Sequence, residues 1–123
     1  MLTFDHRSRG PYWLSSVGAL LATVAIGLSA YAAHAVLAPL AQSHLQTAAL
    51  YAFGHGLALA ALGRRSGRML ARVALCLLLL GTVLFSGSLV GNALAQWSTR
   101  LAPIGGVTLM LGWLLWAMDA LRR

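Results

Sequence analysis

The chain has no lysine and no glutamate, and its 123 residues include only two aspartates, Asp5 and Asp119. Too few carboxylates are present for paired acid/base chemistry or for a cage around a hard cation. Cys76 is the sole cysteine, which excludes an internal disulfide and a thiolate zinc site. Charge of either sign is scarce, at 9% of residues where a soluble domain carries roughly 25%. Apolar residues take its place, at 59% of the chain and a mean hydropathy of +0.78. A domain of this size and composition cannot wet its own surface, so the reading is an all-α membrane protein whose first partner is the lipid bilayer.

All nine positive charges are arginine, for a net charge of +7. Nucleic-acid binding would need them interleaved with polar residues on a wettable face. Here they cluster between long apolar runs, so no nucleic-acid partner is expected. A hydrocarbon core of about 30 Å takes about 20 residues of helix. Four stretches are long enough: 12–36, 45–63, 70–95 and 101–121. The links are short, 37–44 with Pro39 as breaker, 64–69 rich in Arg, Ser and Gly, and 96–100. Short links make consecutive helices antiparallel neighbours, so residues 1–123 read as one four-transmembrane-helix domain, an up-down-up-down bundle.

Arginine position sets the orientation. With four crossings the two termini and the middle link share a side, and they hold Arg7, Arg9, Arg64, Arg65, Arg68, Arg72, Arg122 and Arg123, against Arg100 alone opposite. Both termini are therefore expected in the cytoplasm, N-in and C-in, with the chain in a bacterial inner membrane. Arg7 and Arg9, an apolar run and Ala33-His34-Ala35 imitate a secretory signal. The apolar part of such a signal is about 7 to 15 residues. The run here is longer, so we read an uncleaved first helix. Tyr12, Trp13, Trp97 and Trp116 stand where interfacial anchors are expected.

Helices in lipid approach closely where small residues face one another. The second helix offers Ala48, Ala52, Gly56 and Ala60, the third Gly87, Gly91 and Ala95, and the first Ala25, Ser29 and Ala33. Pro103 suits the first turn of the fourth helix, where its missing N–H costs nothing, and Gly105-Gly106 thins that helix to admit the third. The residues that interrupt the apolar pattern are His34, His55, Ser86, Ser88 and Asn92. Counted from residue 45, His55 lies about 15 Å deep, near the midplane, while His34 sits at the end of the first helix. His55 admits two readings: a proton relay, haem or metal ligand or quinone contact, or a hydrogen-bonded structural histidine.

A haem wants two histidines at matching depth, which His34 and His55 do not offer. His34, His44 and His55 are not within one helix turn of one another and no carboxylate joins them, so no metal site and no cofactor are expected. Ser86-Gly87-Ser88 has no general base and acid to make it a nucleophile. Asp119 beside Arg122 and Arg123 reads as a solvated ion pair.

The segment GLSAYAAHAVL, from Gly27 through Leu37, resembles the motif GAFGAHAL of domain-of-unknown-function family 423, the YgdD-like small inner-membrane proteins. The resemblance continues through Tyr51-x-x-x-His55-x-Leu57, Phe85-Ser86-Gly87-Ser88-Leu89, Pro103-Ile104-Gly105-Gly106 and Gly112-Trp113. Ala52 and Gly54 stand where the family usually has Gln and an aromatic residue. The resemblance implies a four-helix membrane protein without an assigned activity.

Without soluble mass or a catalytic set, the chain is expected to be a non-enzymatic structural or accessory subunit, partnered by other membrane proteins or by itself. The alternative is a carrier or conduit for protons or a small molecule, built on His34, His55, Ser86, Ser88 and Asn92. Reporter fusions after Arg68 and after Arg123 should both report cytoplasm, and one after Gln96 the opposite side. Arg68 and Arg123 on opposite sides would refute the four-crossing count.

Overall fold

Four helices form because, apart from a closed barrel, only a helix satisfies its backbone polar groups inside hydrocarbon. The computed structural model describes residues 12–65 and 67–122. Asp5, Arg7, Arg9 and Arg123, used above for orientation and charge pairing, lie outside the described residues. The helices are α1 (Trp13–His34), α2 (Pro39–Leu62), α3 (Met69–Ala95) and α4 (Leu101–Leu121), with one 3-10 turn at Gly63–Arg65. Each is long and apolar enough to cross a membrane, and no strand occurs among the described residues.

Three of the four boundaries fall within two residues of the expected ones, and α2 does not. It begins at Pro39, six residues before residue 45. Pro39 starts the helix because its missing N–H would be an orphan donor in the first turn and its fixed φ is already helical. Ala38, held extended at ψ 147° ahead of the proline, closes a link of only four residues, 35–38. The correction brings Gln42 and His44 inside α2. α3 stops at Gln96, which takes the left-handed conformation at φ 57°, and the Trp97 N–H then reaches back to the Gly91 carbonyl.

Each consecutive pair of helices runs antiparallel. Residues 15 and 32 of α1 bond to 60 and 42 of α2, residues 44 and 48 of α2 to 92 and 86 of α3, and Gly81 on α3 faces Gly105 on α4. α1 packs on α2, α2 on α3 and α3 on α4, so α2 and α3 are the central pair. Leu14, Leu59, Leu75, Leu78 and Leu109 form the main core. Trp116, expected as an interfacial anchor, is half-buried against that core.

Two glycine pairs bring the outer helices onto the central ones. A Cβ on Gly18 would stand 2.5 Å from both the Gly56 carbonyl oxygen and the Ala60 nitrogen, and one on Gly56 2.7 Å from the Gly18 carbonyl oxygen. Gly81 and Gly105 oppose each other in the same way across α3 and α4, a Cβ on either standing 2.9 Å from the other's carbonyl oxygen. The small-residue seams are therefore not all where spacing placed them. On α1 the buried positions are Leu14, Gly18, Ala25 and Ala32, while Ser29 and Ala33 are exposed. On α3 Gly87 is exposed, with nothing within 4 Å of a Cβ there, and Gly91 is covered by the Trp97 ring, not by another helix.

Ala52 and Gly56 are buried on α2, and Gly105 is buried on α4. Gly106 beside it only approaches Phe85, at 4.0 Å, and Pro103 is exposed in the first turn of α4. Asp119 is 1% exposed, which corrects the solvated reading. It occupies the last step of the buried α4 series Ala102, Gly105, Leu109, Gly112 and Asp119.

Gly105→Leu and Gly18→Leu should destabilise the chain by about 1–3 kcal/mol or more, because the new side chain meets backbone that cannot yield. Gly87→Leu should leave the thermal midpoint in detergent unchanged. A larger loss at Gly87 than at Gly105 would contradict the packing described.

Candidate functional site

The polar side chains sort into separate groups. His55 joins α2 to α4. Its Nδ1 lies 2.8 Å from the Tyr51 carbonyl oxygen one turn back, and the Trp113 Nε1–H donates to its Nε2 at 3.0 Å. A carbonyl only accepts and an indole N–H only donates, so the proton of the ring is on Nδ1 and Nε2 is the acceptor. Tyr51 stacks on His55 with ring centroids 6.0 Å apart, Phe85 tilts against Tyr51 at 4.6 Å, and Trp113 tilts against His55 at 5.9 Å. These four rings bridge α2, α3 and α4. His55 lies about 10 Å along α2 from the end of that helix at Leu62.

The second group lies toward the opposite end, where α3 meets α4. The Asn92 amide nitrogen donates to the Trp97 carbonyl at 2.7 Å, which leaves its oxygen to accept from His44 Nδ1 at 2.9 Å. Ser88 donates to the Ser98 carbonyl at 3.3 Å. Asn92 and Ser88 thus hold the 96–100 link onto α3, and His44 ties that knot to α2. The signal that could have found His44 was proline placement: with Pro39 as the first residue of α2, His44 is five residues inside a helix and not in a link.

Ser86 stands apart from both groups and donates to the Ala48 carbonyl at 2.9 Å, across the α2–α3 contact. His34, the last residue of α1, is exposed. The five residues expected to make one cluster, His34, His55, Ser86, Ser88 and Asn92, are therefore dispersed: only Ser88 and Asn92 share a group. Gln42 adds a tie that spacing did not suggest, donating to the Ala32 carbonyl at 3.0 Å, and Ser15 another, to Ala60 at 2.8 Å. Among the described residues no three His, Cys or Asp side chains gather at metal-binding distance. At the arginine-rich end, the Arg64 guanidinium lies 5.2 Å from the Tyr12 ring centroid, a cation–π contact that pins the start of α1.

Grooves remain between the described helices, and two of them are well formed. One, of about 660 Å3, lies between α1 and α2 and is lined by Ser29 and Ala33 on one wall and Gln46, Ala49 and Phe53 on the other. The other, of about 430 Å3, lies between α1 and α3 over Ala52.

Four apolar spanning helices, locked by internal polar pairs, define a small multi-pass membrane protein. Residues 28–106 match the family described as "Protein of unknown function (DUF423)", and the chain belongs to that family. It is 37% identical over 113 residues to a UPF0382 membrane protein of Staphylococcus epidermidis, covering 86% of this chain and 93% of the relative. The UPF0382 membrane protein YwdK of Bacillus subtilis is 31% identical over 115 residues, covering 86% and 94%. A UPF0382 membrane protein of Schizosaccharomyces pombe is 31% identical over 109 residues, covering 80% and 92%. No solved structure matches the chain.

The His55–Trp113 pair is open to a double-mutant cycle in thermal or denaturant unfolding. His55→Leu leaves the Trp113 N–H unpaired and should cost about 1–3 kcal/mol, whereas His55→Gln keeps an acceptor and should cost less. Adding Trp113→Phe to His55→Leu should cost less than the two single changes together. Strict additivity would show that the two side chains do not interact.

Proposed function

We propose that this chain is a non-enzymatic accessory protein of a cell membrane, the inner membrane in a bacterium, with both termini in the cytoplasm. It acts by lateral contact with another membrane protein or with a second copy of itself. The observation that carries the reading is Ser29 and Gln46. They sit on adjacent helices, line the same groove, and make no hydrogen bond among the described residues. Hydrocarbon offers them nothing, and the amide and hydroxyl of such residues commonly bond across helices in membranes. The groove, of about 660 Å3, runs along about 12 Å of α1 and leaves room for side chains of a neighbouring helix.

A conduit requires titratable or polar groups that hand a proton onward. Here His55 spends both ring nitrogens inside the chain, and a proton added at Nε2 would break its bond from Trp113. The arginine distribution supports the orientation. Arg64, Arg65, Arg68, Arg72 and Arg122 all fall at the ends where α2 closes, α3 opens and α4 closes, and Arg100 lies opposite.

Benzoylphenylalanine at position 46, photoactivated in native membranes, should give one discrete membrane-protein adduct, and the same probe at the exposed α4 position 107 should give none. In parallel, liposomes containing the wild-type chain should leak protons no faster than empty ones. Proton flux that His55→Gln abolishes, in a chain that still folds, would overturn the reading in favour of a conduit.

A further inference from the structure

The two grooves make opposite demands on an occupant. The groove between α1 and α3 runs along residues 21–28 of α1 and 82–95 of α3, and its walls are apolar almost throughout. Its two hydroxyls are already committed, Thr82 to the Leu78 carbonyl at 2.7 Å and Ser86 to the Ala48 carbonyl at 2.9 Å. Nothing in it asks for a polar contact, unlike Ser29 and Gln46 in the other groove.

Its shape suits a chain. Residues 82–95 of α3 span about 20 Å of helix, so the groove of about 430 Å3 is elongated along the helix axis. A methylene chain, with carbon contact distances of about 4 Å, can lie along such an apolar channel. Gly87 lines it without a side chain, and a Cβ there would meet no atom within 4 Å. At one end the slot reaches Trp97, which is 63% exposed and belongs to the same short link as exposed Arg100. An indole prefers the interfacial depth of a membrane, and Arg100 supplies a cation where a lipid phosphate lies.

From this the geometry points to a lipid-binding slot: the α1–α3 groove holds one acyl chain of a membrane phospholipid, with the headgroup at the Trp97–Arg100 link. The slot is distinct from the lateral contact proposed above: Ala25 lines both grooves, but Leu21, Val24 and Leu28 line the slot alone, and the slot does not depend on that contact. In lipid the occupant is always at hand, and it adds apolar contacts along both walls of the groove.

The experiment uses the full chain in nanodiscs of phosphatidylglycerol and phosphatidylcholine doped with a phospholipid bearing a diazirine near the acyl terminus. After illumination, peptide mapping should find adducts concentrated on 21–28 and 82–95. Gly87→Leu fills the slot without touching a packed helix face, so those adducts should be lost while the thermal midpoint and monodispersity hold. Gly27→Leu, at an open α1 position outside the slot, should retain them. Val83→Trp obstructs the same slot from another position and serves if Gly87→Leu folds poorly. Adducts spread evenly over the exposed faces of all four helices, or unchanged in Gly87→Leu and Val83→Trp alike, would overturn the proposal. So would a wild-type dimer that Gly87→Leu converts to monomer without any lipid adduct, since the groove would then be an interface between copies.

Discussion

A polar group inside hydrocarbon has no water to bond, and most of this architecture follows from that constraint. It makes every described spanning element a helix, because only a helix or a closed barrel pairs its own backbone there. It also governs the side chains. Ser15 and Gln42 join α1 to α2 through backbone carbonyls, Ser86 and the His44–Asn92 pair join α2 to α3, and His55–Trp113 joins α2 to α4. Such pairs average only about 0.6 kcal/mol in membranes, so they orient helices more than they drive them together. Close approach at the Gly18–Gly56 and Gly81–Gly105 pairs supplies the dispersion contacts that hydrophobic burial provides in water.

The same rule separates the two flanks of the central α2–α3 pair. On the α4 side, Tyr51, His55, Phe85 and Trp113 fill the space between α2 and α4, and the imidazole among them has both nitrogens engaged. On the α1 side the short Ala25, Ala52 and Gly87 line a groove that is left open. What a groove can hold is then decided by what its walls already bond. The slot beside α3 is internally satisfied. The groove beside α2 presents an amide and a hydroxyl that make no hydrogen bond among the described residues.

The dispersal of His34, His55, Ser86, Ser88 and Asn92 shows how far depth along a helix is from proximity. Ser86 and Ser88 are two residues apart, yet one bonds α2 and the other the 96–100 link, because two residues turn a helix through more than half a revolution. His44 escaped notice for a different reason. Its role depends on Pro39 acting as a helix start, and a proline between apolar runs can equally end one.

Composition and order along the chain were enough to determine the class: four apolar runs of spanning length, short links, arginine on one set of ends, and motifs that resemble DUF423. These are properties of single segments, and each segment meets the membrane on its own. Which glycines carry the packing was decided only by the tertiary structure. Gly81 and Gly87 lie on one helix, separated by about one and two-thirds turns, so when one faces α4 the other faces away. The rotation of a helix about its own axis is set by all its neighbours at once. That is why spacing could find small-residue stripes on α1 and α3 but could not say which position would meet a backbone and which would stand open to lipid.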